Sequence, residues 1–117
     1  MKSYRDLVVW QKSMQISVLI YELIIKLPEN EKYGLIPQIK RSAISIPSNI
    51  AEGYGRNYKK DFSRFLQIAR GSLYENQTQL ELSLNLGFIE ENDLKEIKEL
   101  SLEIEKMLNS LIKKLDE

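Results

Sequence analysis

Arg56, Lys59, Lys60 and Arg64, with Arg70 further along, gather positive charge in one short stretch and have Tyr54 and Tyr58 interleaved. Guanidinium and ammonium groups hold phosphate oxygens, and a tyrosine ring stacks on an unpaired base, so the pattern is a candidate nucleic-acid contact. Asp61 sits inside the cluster, and an ordinary solvated surface with nearby acids accounts for the same residues. A second set, Arg41, Ser45, Ser48 and Glu52, falls on one face of a helix, with Asn49 beside it. It reads either as an internal hydrogen-bonded seam or subunit contact, or as a strip facing RNA.

Other chemistry is harder to build. Gly53 and Gly55 invite a phosphate-loop reading, but no third glycine follows at the dinucleotide position and no Lys-Ser/Thr follows as in a P-loop. The chain has no cysteine and no histidine, which removes disulfides, thiol nucleophiles, Cys or His zinc sites and histidine-based triads. Carboxylates inside a helical bundle bind metals typically through Glu-x-x-His, which cannot be built here, and Glu52 and Glu75 lack supporting partners. No catalytic residue, metal or cofactor is expected.

The elements that must position these groups are helices. The 117 residues, 43% apolar and 29% charged, are enough for one domain with one core. Ser3 with Asp6 resembles a capping box and Pro28 supplies a stop, so a first helix is expected over 4–27. Asn30 or Glu31 opens a second over 31–54, Asn57 can cap a third over 57–86 that Gly87 closes, and the acidic run 90–93 begins a fourth over 91–115. Apolar stripes at helical spacing on all four predict an all-α, antiparallel up-and-down four-helix bundle as a single domain, 1–117. Pro47 removes a backbone donor and crowds the Ala43 carbonyl, which predicts a kink in helix 2, with Ser48 and Asn49 suited to satisfying freed backbone groups.

Helix 1 carries two nearly opposite stripes: Leu7, Trp10, Met14, Val18, Tyr21 and Ile25, and then Val9, Ile16, Ile20, Leu23 and Leu27. A bundle helix needs one apolar face, so a homo-oligomer is expected, with Val9, Ile16, Ile20 and Leu23 taken as its interface. The start MKSYRDLVVWQKS lacks a signal-peptide core and no long uncharged apolar run follows, so a cytoplasmic protein without a membrane span is expected. Lys plus Arg equals Asp plus Glu at 17 each, yet residues 31–75 hold eight basic and four acidic residues, whereas 76–117 hold five and ten. The basic middle, not the total, carries any electrostatic attraction to nucleic acid.

The segments LVVWQKS, PENEKYGLIPQIKRSAISIPSNIAEGYGR and RFLQIARGSL resemble the bacterial four-helix-bundle proteins encoded within intervening sequences of 23S ribosomal RNA genes, often called ribosomal-protein-like. The resemblance spans about Leu7 to Ile89. Matching positions include Trp10, Gln11, Lys12, Arg41, Ser48, Asn49, Glu52, Gly53, Arg56, Arg70, Gly71, Ser72 and Glu75. It implies a small cytoplasmic bundle that forms a homopentamer and has no established enzymatic activity; taken with the basic corner read from the residues, rRNA or another nucleic acid is the expected partner. Accessory proteins of diversity-generating retroelements are similar in fold, which implies the alternative of a protein-interaction scaffold partnering a reverse transcriptase. Asn76 departs from that pattern, which places an apolar residue there; it is expected near the core face, loosening that layer or hydrogen-bonding across an interface.

Overall fold

The computed structural model describes residues 2–117. Its four α-helices are α1 (Val8–Leu23), α2 (Leu35–Tyr54), α3 (Lys59–Asn85) and α4 (Glu91–Asp116), and no strand occurs among the described residues. α1 packs on α2 and α4, and α3 also packs on α2 and α4, which encloses one core in a body 43 × 25 × 21 Å. Cross-helix pairs between α3 and α4 run Ser63–Asp116, Arg70–Asn109, Tyr74–Glu105, Gln77–Ser101 and Glu81–Lys98, one number falling as the other rises.

Local chemistry sets the ends. The Ser3–Asp6 capping box forms, but on a 3-10 turn, Tyr4–Asp6. Leu7 is extended (φ −75°, ψ 122°), so α1 begins anew at Val8 and finishes in a second 3-10 turn, Ile24–Lys26. After Pro28 a further 3-10 turn, Glu29–Glu31, delays α2 to Leu35, whose N–H donates to Glu31 Oε1 at 3.0 Å. Tyr58, not Asn57, is the N-cap of α3. Gly87 takes φ +78°, a conformation that costs glycine no Cβ clash, and it stops α3. Glu90 and Asp93 form a capping box that starts α4.

Ile16 and Ile20 of α1, Ile39, Ile46 and Ile50 of α2, Leu66 and Leu73 of α3, and Leu94, Ile104 and Leu108 of α4 are wholly buried. Each such side chain contributes about 1.5–3 kcal/mol by leaving water. Asn76 lies among them without being orphaned, donating to Ser42 Oγ at 2.9 Å while the Ser42 hydroxyl donates to Gln79 Oε1 at 2.7 Å. Its partners thus lie within the bundle, on α2. A register slip between α2 and α3 would strand these polar groups in the core, so the cluster fixes the pairing of the two helices. Among the described residues, no buried side-chain nitrogen or oxygen lacks a partner.

α2 runs through Pro47 without a break. Proline has no N–H, so the Ala43 carbonyl loses its intrahelical donor. The replacement comes from another helix: the Ser17 hydroxyl of α1 lies 2.9 Å from the Ala43 oxygen and equally close to the Ser13 oxygen. Asn49 serves a different carbonyl, donating to Ser45 O at 2.8 Å. Ser17→Ala is expected to lower unfolding free energy by about 1–2 kcal/mol in urea titration, because the Ala43 oxygen is left dry and unpaired. In a Pro47→Ala background the restored N–H takes that carbonyl, so the same change should cost clearly less; equal losses in both backgrounds would contradict the coupling.

The end of the bundle is tied by Lys26 Nζ to Asp93 Oδ1 at 2.6 Å, across 67 residues of sequence. That bond, with the Glu90 N–H behind it, holds the Asp93 carboxyl below its usual range, and the same bond raises Lys26. A depressed carboxyl contributes stability that is present above its unfolded value and lost as pH falls through its folded one. The raised lysine contributes below its unfolded value and loses that contribution as pH rises through its folded one. Asp93→Asn should therefore melt at a lower temperature than the parent at pH 7, with the gap closing as pH drops below the ordinary carboxylate range. A gap that persists under strongly acidic conditions would contradict the assignment.

Candidate nucleic-acid interface and the apolar groove

Beside the short α2–α3 connection, 55–58, Gly53 lets the two helices touch. A Cβ there would meet the Phe65 Cβ at 2.6 Å and Phe62 Cδ1 at 3.1 Å. Phe65 in turn organises the basic residues: the Arg56 guanidinium stands 4.9 Å from its ring centroid and that of Arg64 5.4 Å. The planar cations stack on the negative face of one ring, which holds two otherwise floppy side chains at the same corner. Lys59 and Lys60, in the first turn of α3, are exposed beside them. Arg56 also pairs with Glu52 at 3.2 Å, whereas among the described residues no ion pair engages Lys59, Lys60 or Arg64.

The six predicted cations do not form one site. Arg70 turns to α4 and donates to Asn109 Oδ1 at 2.9 Å. Arg41 lies fifteen residues before Arg56 on α2, roughly 22 Å along the axis, and is exposed. The tyrosines separate too: Tyr54 is half-buried edge-on against Phe62, with centroids 6.0 Å apart, and Tyr58 is exposed.

The polar row of α2 divides in the same way. Ser45 Oγ lies 2.8 Å from Ser72 Oγ and accepts from Asn49 Nδ2 at 2.9 Å, so Ser45, Asn49 and Ser72 form a seam between α2 and α3. Arg41, Ser48 and Glu52 remain exposed, as do Gly71 and Glu75 on α3. Among the described residues no group of three His, Cys, Asp or Glu side chains is arranged to hold a metal ion.

The two stripes of α1 take roles opposite to those expected. Val9, Ile16, Ile20 and Leu23 are buried in the chain's own core and offer no surface to a partner. Periodicity fixes the angle between two stripes and says nothing of which turns inward. The outward stripe is the other one: Met14, Val18 at 58% exposure, Tyr21, and Ile25 at 83%. With Trp10 and with Ile44, Pro47 and Ser48 of α2, these residues line an apolar groove of about 650 Å³. Trp10 is anchored there by an edge contact with Tyr4, 5.1 Å between centroids. Double-sided apolarity also makes the segment Val8–Lys26, with mean hydropathy 1.2, long and apolar enough by length and composition to cross a membrane, although a third of that window is buried in the bundle. A buried core helix passes the same test, and Lys12 of this segment is paired with Glu103 of α4 at 2.6 Å.

The sequence profile of the 23S rRNA-intervening sequence proteins matches residues 5–110. The chain belongs to the 23S rRNA-intervening sequence protein family. A crystal structure of a protein of unknown function from the S23 ribosomal protein family of Bacteroides thetaiotaomicron VPI-5482 is similar at 33% identity and a TM-score of 0.81, over 91% of this chain and 99% of that one. No curated protein matches the chain significantly. The family match takes in all of α1, α2 and α3 and most of α4, so both the basic corner and the apolar groove lie within the family region.

Proposed function

We propose that this protein is a non-enzymatic, cytoplasmic RNA-associated bundle of antiparallel up-and-down helices, kinked at Pro47, that assembles with copies of itself into a ring, most simply the pentamer implied by the family resemblance. The observation that carries the RNA reading is the corner itself. Two guanidiniums stack on Phe65, two exposed lysines stand in the adjoining first turn of α3, and two carboxylates, Glu52 paired with Arg56 and Asp61 in that same turn, offset the set only in part. Such a group attracts phosphate backbones without reading sequence, and repetition around an assembly multiplies the contact. The descending order of α3–α4 pairs supports the antiparallel arrangement. The groove on α1 and α2 supports self-association, because hydrocarbon of that extent on a monomer is a contact surface and a second copy is the partner every molecule of this protein meets.

Four phosphate contacts per subunit give a slope of about −3 in log affinity against log salt. Binding to a structured RNA should then fall about fifty-fold between roughly 50 and 200 mM salt. An assembly that binds no RNA or DNA at about 50 mM salt, or binds with no salt dependence, would overturn the reading. The second reading, a scaffold for a different protein such as a reverse transcriptase, is favoured by the same groove if it stays open in the assembled protein. It forecasts a stable, salt-resistant protein complex with weak nucleic-acid binding.

A further inference from the structure

Of the six tyrosines, five have an engaged side chain. Tyr4 packs on Trp10 beneath Arg5, Tyr21 lies under Lys40, Tyr33 under Lys32, Tyr54 meets Phe62, and the Tyr74 hydroxyl donates to Glu105. Tyr58 differs. It is 71% exposed, and no hydrogen bond, ring contact or cation engages its side chain among the described residues. Its isolation is unexpected on electrostatic grounds, because Arg56, Lys59, Lys60 and Arg64 surround it in sequence and cations seek ring faces. The two arginines are instead drawn to Phe65, which leaves the Tyr58 ring open beside a cationic group that Glu52 and Asp61 neutralise only in part.

From this we infer that the corner takes a single-stranded polynucleotide, with Tyr58 stacking on one unpaired base while Lys59, Lys60 and the two arginines hold the flanking phosphates. The inference rests on the nucleic-acid reading above and narrows it from any phosphate backbone to unpaired segments. In a duplex both faces of each base are covered by neighbours, so the ring could engage it only by unstacking a step, at a cost that one tyrosine does not repay. An unpaired base offers a free face, and every base has one, so the contact is indifferent to sequence.

The test compares a short oligouridylate, the matching oligodeoxythymidylate and a short RNA duplex by fluorescence anisotropy with the full chain at about 50 mM salt. Tyr58→Ala should weaken both single strands about tenfold and leave the duplex unchanged, while Tyr58→Phe, which keeps the ring, should match the parent. Comparable affinity for the two single strands assigns the ligand to either sugar; strong preference for oligouridylate assigns it to RNA through the 2′-hydroxyl. Single-strand binding that is salt-sensitive but indifferent to Tyr58→Ala overturns this inference and leaves the basic-corner reading standing. Absence of binding to all three probes overturns both.

Discussion

Replacing Arg56, Lys59, Lys60 and Arg64 together by alanine is expected to weaken binding to structured RNA about a hundredfold at roughly 50 mM salt and to flatten the salt dependence almost completely. The size follows from the number of charges, since removing one phosphate-binding cation takes about one from the slope of log affinity against log salt. All four side chains are exposed, so little packing goes with them. The cost to the fold is the two cation–π contacts on Phe65, about 0.5–1 kcal/mol each at an exposed site. Circular dichroism should therefore report an intact helical protein while anisotropy reports weakened binding. Arg70→Ala is the internal contrast. Its guanidinium faces Asn109 on α4, so RNA affinity should change less than for Lys59→Ala, although linear sequence puts both in one basic cluster. Equal effects from Arg70 and Lys59 would mean that diffuse charge, not the corner, attracts the nucleic acid.

The second large effect concerns assembly. Val18→Asp with Ile25→Asp puts two carboxylates on the outward face of α1 and of the 3-10 turn that ends it, at positions 58% and 83% exposed in the isolated chain. In a monomer these charges stay in water and unfolding stability should move by less than about 1 kcal/mol. In an assembly that covers the groove, each would be buried without a partner, at several kcal/mol apiece, which is enough to dissociate it. Light scattering should find the variant at 13.7 kDa and folded. Ile16→Asp tests the reversed roles of the two stripes, since this residue is wholly buried within the bundle and its replacement should unfold the subunit outright. If Ile16→Asp gives a folded monomer and the Val18/Ile25 variant keeps its parent mass, the assignment of the faces is wrong.

Much of the scaffold is legible in the sequence because it depends on local chemistry. The Ser3–Asp6 box, the stop at Gly87 and the apolar stripes of α2, α3 and α4 are properties of residues three or four apart, and helical spacing puts even Asn76 close to the core. What escapes such a reading depends on contacts distant in sequence. Nothing near Pro47 announces that Ser17, thirty residues earlier on α1, supplies the missing hydrogen bond. The same holds for Lys26 and Asp93. Phe65 reads simply as a core aromatic, yet it sorts the cations, holding Arg56 and Arg64 while α4 takes Arg70. Two apolar stripes on one helix are symmetric by periodicity; Ser13, which falls on the inward one, masks it by bonding to the Val9 carbonyl at 2.7 Å within its own helix.

Whether the bundle self-assembles and presents basic corners to RNA is decided by the mass of the full chain in solution with and without a structured RNA. At about 50 mM salt the mass should be a discrete multiple of 13.7 kDa that gains the mass of the RNA and releases it as salt rises. A stable 13.7 kDa species at micromolar concentration, unchanged by RNA, would contradict both expectations.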